Sequence, residues 1–148
     1  MLRLVLDTNV WLDLLVFNDA SAAPIRAAMQ TGRAKVYICQ RGYAELERVL
    51  AYPLTKDRRL DVHQQVDCLR SVLEMAEPVV EKGTPAALAS LPRCTDPDDQ
   101  KFLELALAAA AGFLVTKDQA LLDLAKRKLP FQILAPRDFG YYVDAKLA

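Results

Sequence analysis

Short apolar runs alternate along the chain with longer stretches in which apolar residues recur at helical spacing. The short runs, rich in β-branched and aromatic residues, predict strands at 2–6, 35–39, 113–116 and 132–134, with a minor strand at 79–80. The periodic stretches predict helices at 10–17, 24–31, 43–51, 62–76, 98–111 and 119–127. We expect residues 83–95, which contain Gly83, Pro85 and Pro92, to form a loop.

This alternation of strands and helices predicts the fold class. Consecutive parallel strands need a crossover connection, usually a helix, and the helices cover both faces of the sheet. We therefore expect an α/β fold, a three-layer α/β/α sandwich with a mainly parallel central sheet. The 148 residues suit a single domain spanning 1–148, because neither flank of the loop at 83–95 is large enough to fold alone.

Composition then excludes several function classes. The 19 basic and 19 acidic residues balance, so any surface that binds nucleic acid must be local. The five glycines are too widely spaced for a phosphate-binding loop, and one histidine and three cysteines offer neither a histidine-based zinc site nor a disulfide framework. No apolar stretch is long enough for a membrane helix, and we expect a cytoplasmic protein. Chemistry must therefore be carried by carboxylates.

Four carboxylates are expected to meet at one edge of the sheet. The carboxyl ends of parallel strands share an edge, where ligands bind in open α/β sheets. Three of the four follow strands and the fourth starts the helix that returns to strand 113–116: Asp7, Glu45, Asp118 and Asp99. Each alone has an ordinary alternative role as a helix cap, a first-turn acid or an exposed helix residue. Asp7 is the exception, because a carboxylate at the end of an apolar strand is costly to bury without a partner.

Crowded carboxylates repel one another unless protons or a cation neutralise them. Oxygen ligands without histidine or thiolate suit Mg²⁺ or Mn²⁺, which also bind substrate phosphate. The sequence therefore predicts a metal site used for phosphodiester hydrolysis, in which an ion lowers the pKa of a bound water and stabilises charge on the phosphoryl oxygens.

Four segments carry a family resemblance: residues 4–10 (LVLDTNV), 44–46 (AEL), 96–103 (DPDDQKFL) and 114–118 (LVTKD). In this order and spacing they resemble the PIN domain nucleases, in particular bacterial toxin components of toxin-antitoxin pairs. The resemblance implies an endoribonuclease that uses Mg²⁺ or Mn²⁺ to hydrolyse phosphodiester bonds of single-stranded or structured RNA. It assigns catalysis and metal binding to one acidic quartet: Asp7, Glu45, Asp99 and Asp118. It also implies that Asn9 and Thr116 hold the site through hydrogen bonds.

The sequence departs from the commonest family pattern at Gln100, where related chains often carry another acidic residue. The metal ligand of this segment is therefore Asp96, Asp98 or Asp99, and we favour Asp99, with Asp96 as a supporting residue. Five cations are candidate RNA contacts, two beside the acidic residues and three in a basic patch: Lys101, Lys117, Lys56, Arg58 and Arg59. The resemblance also implies a cognate antitoxin and a homodimer.

Three alternative functions remain open. A haloacid-dehalogenase-type phosphatase starts with a similar strand and motif, but Asn9 stands where its general acid is needed, and asparagine has no carboxyl proton to donate. A receiver-like phospho-acceptor needs an acidic pair after the first strand, which is missing. The third alternative is a weakly active or inactive PIN-like module that binds or scaffolds; the intact quartet positions argue against it, and Gln100 keeps it open.

Overall fold

The computed structural model describes residues 1–80 and 83–147, and its centre is a five-stranded sheet. Every strand pairing is parallel, and the strand order is β3-β2-β1-β4-β5. The strands are β1 (Leu2–Leu6), β2 (Ala34–Ile38), β3 (Ala76–Pro78), β4 (Phe113–Val115) and β5 (Gln132–Leu134). The order reverses direction at β1, and this switch point is where α/β sheets place their ligand sites.

Helices connect the strands and cover the sheet. They are α1 (Thr8–Leu12), α2 (Ala23–Gln30), α3 (Gln40–Leu50), α4 (Val62–Met75), α5 (Pro85–Ala89), α6 (Gln100–Ala108), α7 (Gln119–Leu122) and α8 (Pro136–Leu147). A π-helical turn (Asp13–Phe17) continues α1, and 3₁₀ turns precede α2 (Ala20–Ala22) and α6 (Pro97–Asp99). Within residues 1–80 and 83–147, no helix combines the length and apolarity needed to cross a membrane.

Strand β1 shows why the structure has three layers. Its central side chains are fully buried and alternate between two hydrophobic clusters. Leu4 and Leu6 pack in one cluster, with residues of α1 to α4 and α8, and Val5 packs in the other, with residues of α6 and α7. Because successive side chains of a strand point to opposite faces, both faces of β1 need a covering layer. The predicted parallel α/β/α sandwich is therefore confirmed.

Four element predictions need correction. The minor strand at 79–80 is wrong: β3 lies directly before it at Ala76–Pro78, and Val79 only donates its N–H to the Ile38 carbonyl. A short helix, α5, interrupts the predicted loop at 83–95 because Thr84 caps it and Pro85 starts it. The helix predicted at 119–127 ends at Leu122, after which bonds between residues three apart tighten the chain into turns.

The fourth correction is α8, a helix that follows the last predicted strand and was not predicted. Phe139 of this helix is fully buried and meets the Phe113 ring edge-on, with the ring centres 5.9 Å apart. Gly140 packs so close to α2 that an added Cβ would lie 3.1 Å from Pro24. Helix α8 therefore depends on tertiary packing, which stabilises most protein helices more than local propensity does.

Candidate active site

The four carboxylates of the predicted quartet line one cavity at the carboxyl edge of the sheet. The cavity has a volume of about 170 Å³ and is lined by Asp7, Thr8, Asn9, Glu45, Val49, Asp99, Phe102 and Asp118. Asp7 follows β1, Asp118 follows β4, Glu45 lies on α3 and Asp99 ends the 3₁₀ turn before α6. Four segments that are distant in sequence thus bring their acidic side chains together.

Backbone geometry holds Asp7 and Asp118 in place. Each is the N-cap of the helix that follows its strand: Asp7 Oδ1 accepts the Val10 N–H at 2.9 Å, and Asp118 Oδ1 accepts the Ala120 N–H at 3.1 Å. A capping side chain satisfies a backbone donor that the helix leaves free. Capping therefore aims both carboxylates at the edge of the sheet, and the capping and cavity-lining roles coexist.

Thr116 connects Asp7 to Asp118 at the end of β4. Its hydroxyl donates to Asp7 Oδ2, while its Oγ1 accepts the Asp118 N–H at 2.9 Å. Asp7 is only 3% exposed, and burial raises its pKa although the hydrogen bonds from Thr116 and Val10 act in the opposite direction. The Asp118 charge raises this pKa further. Asp7 is thus a buried carboxyl whose ionised form depends on its hydrogen-bond donors.

Asp99 and Asp118 lie close enough for each to shift the pKa of the other. Burial, a side-chain hydrogen bond with Asp118 and repulsion from its charge together raise the pKa of Asp99 to about 8. The same hydrogen bond lowers the pKa of Asp118, which keeps the negative charge. Two carboxylates this close do not both ionise readily without a neutralising group.

The carboxylates of this region fit a divalent cation. Asp96, Asp99 and Asp118 offer oxygens that all lie within 4.8 Å of one another, and Asp99 Oδ2 is buried without a hydrogen-bond partner among the described residues. Oxygen ligands of this kind suit Mg²⁺ or Mn²⁺, and a bound cation can neutralise the repulsion between these carboxylates. Of the three candidates in this segment, Asp98 is exposed and stands outside the group.

Gln100 does not line the cavity, and its side chain instead hydrogen-bonds to the backbone of the preceding loop. Its side chain is buried, accepts the Cys94 N–H at 2.8 Å and donates to the Pro92 carbonyl at 3.2 Å. These two bonds attach the preceding loop to the start of α6. The amide at this position therefore satisfies buried backbone groups and does not enter the acidic cavity.

The supporting residues of the sequence analysis also lie here. Asn9 lines the cavity, and Thr116 hydrogen-bonds to Asp7. Sequence reasoning missed Thr8, whose hydroxyl donates to Glu45 Oε2. Its position between Asp7 and Asn9, in the first residues after a strand, was the signal that pointed to it.

The five candidate RNA-contacting cations have different surroundings. Lys101 is nearly buried and contacts Glu45, while Lys117 forms an ion pair with the buried Asp13 carboxylate at 2.6 Å. The other three are exposed in the connection between α3 and α4: Lys56, Arg58 and Arg59. Arg58 donates to the Val16 carbonyl and lies over the Phe17 ring. Sequence reasoning did not identify Asp13 as the partner of Lys117.

Comparisons with known proteins identify the fold and the family of this chain. A comparison with curated protein sequences finds no significant match. Among solved structures, the fold is similar to one described as the crystal structure of VapBC2 from Rickettsia felis bound to a DNA fragment from their promoter, with a TM-score of 0.59 and 17% sequence identity. That match covers 89% of this chain and 97% of the other. The model of the PIN domain matches residues 3–120, and the chain therefore belongs to the PIN domain family.

Proposed function

We propose that the protein is an endoribonuclease that depends on Mg²⁺ or Mn²⁺ and hydrolyses phosphodiester bonds of RNA. The observation that carries this proposal is the convergence of Asp7, Glu45, Asp99 and Asp118 on one cavity. The closeness of the Asp99 and Asp118 carboxylates, which raises the pKa of Asp99, supports it, because a cation can neutralise such a pair. These four residues are the proposed catalytic quartet.

Asp99 and Asp118 would hold the ion, with Asp96 within reach and with Asp7 and Glu45 completing the acidic lining. When bound, the ion lowers the pKa of a water molecule and stabilises charge on the phosphoryl oxygens. Thr116 orients Asp7 by donating to it, and this hydrogen bond favours the ionised form of Asp7. Asn9 adds an amide that donates or accepts a hydrogen bond at the cavity wall.

Basic side chains near the cavity and along the connection between α3 and α4 would contact the phosphates of the RNA backbone. The Lys117 side chain is 42% exposed despite its ion pair with Asp13, so phosphate can approach it from solvent. Lys56, Arg58 and Arg59 form the proposed basic patch. Phosphate contacts of this kind position RNA without reading its sequence.

We also propose that the protein is the cytoplasmic toxin of a toxin-antitoxin pair, forms a homodimer and binds a cognate antitoxin. The similarity of the fold to the VapBC2 structure supports this role. An apolar stripe on α4 offers surface for such partners, because Val62, Val66 and Leu73 are 70%, 46% and 60% exposed. The measurement that tests assembly is the mass of the purified chain in solution, alone and with its antitoxin.

The nuclease is tested with end-labelled single-stranded RNA, purified protein and Mg²⁺ or Mn²⁺. We expect cleavage that EDTA and the Asp7→Asn substitution both abolish. Asp67→Asn is the matched control, because this carboxylate is exposed on α4, outside the cavity, and its loss should leave cleavage unchanged. Equal cleavage by wild type and Asp7→Asn would identify a contaminant. If no RNA is cleaved with any of the metals, an inactive binding module is favoured. If the protein instead releases phosphate from phosphomonoesters, a phosphatase is favoured.

A further inference from the structure

The ammonium of Lys101 lies against Glu45, a residue that lines the cavity, and its side chain is only 11% exposed. Its Nζ is 3.1 Å from Glu45 Oε1 and also donates to the Asp98 carbonyl oxygen. The Phe102 ring lies on another side, with its centre 4.8 Å from Nζ. A carboxylate, a carbonyl and an aromatic face thus replace most of the water around this cation.

Glu45 is engaged through both of its oxygens. Lys101 contacts Oε1, and the Thr8 hydroxyl donates to Oε2. The three carboxylates whose oxygens lie within 4.8 Å of one another do not include Glu45: they are Asp96, Asp99 and Asp118. The acidic lining therefore divides into a group suited to an external cation and a carboxylate that already has an internal one.

This division bears on how many metal ions the site takes. In two-metal hydrolases the ions lie about 3.5–4 Å apart, and acidic side chains on both sides hold them. Asp7 also lines the cavity, but its two oxygens already accept the Val10 N–H and the Thr116 hydroxyl. A second ion here would therefore need the Glu45 carboxylate, from which it would have to displace Lys101. A nearly buried ammonium that loses its carboxylate is left without its counter-charge, which is strongly unfavourable.

We propose that Lys101 takes the place of a second metal ion, so that the site binds one divalent cation and Glu45 is not a ligand of it. Lys101 is then a positioning residue that neutralises and orients Glu45. This inference rests on the proposed function, because it assumes that the remaining carboxylates bind Mg²⁺ or Mn²⁺.

The experiment is isothermal titration calorimetry of the full chain with Mn²⁺. We expect one Mn²⁺ per chain for wild type and for Lys101→Arg, which keeps the positive charge. Lys101→Met, which has a similar length and no charge, should bind two, and adding Glu45→Gln to it should return the stoichiometry to one. Lys126→Met is the matched control, because Lys126 is exposed and lies outside the cavity.

Electron paramagnetic resonance gives a second readout. Two Mn²⁺ ions a few ångströms apart couple magnetically, so Lys101→Met should show a coupled signal that wild type lacks. Circular dichroism checks that each variant is folded. If Lys101→Met does not fold, Lys101→Gln takes its place, and the wild-type stoichiometry remains decisive.

Two wild-type Mn²⁺ ions per chain would overturn the inference, and so would a Lys101→Met protein that binds one ion as wild type does. In both cases the site still binds metal, and the proposed function stands. A wild type that binds no Mn²⁺ would instead count against the metal-dependent nuclease itself.

Discussion

Replacing Thr116 by valine tests whether the hydroxyl that joins Asp7 to Asp118 stabilises the site. Thr116 is fully buried, and valine keeps its shape while removing both hydrogen bonds. A hydrogen bond to a charged group contributes about 1.5–3 kcal/mol and one between neutral groups about 1 kcal/mol. We therefore expect the free energy of unfolding to fall by about 2–4 kcal/mol at neutral pH.

The pH dependence of this loss identifies its cause. The Thr116 hydroxyl lowers the pKa of Asp7 against the effect of burial, so the substitution should raise that pKa further. A carboxyl whose pKa is higher in the folded protein loses stability as the pH rises through that pKa. The difference between variant and wild type should therefore be smallest in acid, where the lost bond from the Asp118 N–H still contributes, and should grow as the pH rises through the Asp7 pKa.

Urea denaturation at several pH values measures both effects, without added metal. Thr55→Val is the matched control, because Thr55 is exposed and should change the stability little at any pH. Two results would show that the Thr116 hydroxyl does not stabilise the site. One is a loss of unfolding free energy in Thr116→Val no larger than that in Thr55→Val, and the other is a loss that does not change with pH.

Two further predictions concern the acidic pair and the core. Because the pKa of Asp99 is raised from 3.8 to about 8, the metal-free protein should lose stability as the pH rises between these values. Asp99→Asn should make the stability depend less on pH, since the amide can still donate to Asp118. It should also weaken the stabilisation of the protein by Mn²⁺. Melting temperatures measured against pH, with EDTA and with Mn²⁺, test both effects. Phe139→Ala should cost about 3–5 kcal/mol of unfolding free energy by removing a buried ring from the Phe113 contact. Tyr141→Ala on the same helix, where the side chain is 65% exposed, should cost far less, and equal costs would show that α8 does not stabilise the core.

The sheet was predictable because strands buried on both faces are almost entirely apolar. The runs of β1 and β4 have this property, and their ends show directly in the sequence as Asp7 and as the polar residues after Val115. Helix α8 was not predictable in the same way. Phe139, Tyr142 and Val143 recur at helical spacing, but Gly140 lowers the helix propensity of this segment, and its packing against Phe113 connects residues far apart in sequence.

At the candidate site, too, some features were predictable from the sequence and others depended on tertiary packing. The sequence alone determined which carboxylates meet, because residues at the carboxyl ends of parallel strands share an edge whatever the details of packing. Only the tertiary structure decided that Asp118 raises the pKa of Asp99 and that Lys101 contacts Glu45, 56 residues away. Hydrogen bonds and ion pairs depend on side-chain positions to within a fraction of an ångström, and only the packing of helices against the sheet determines these.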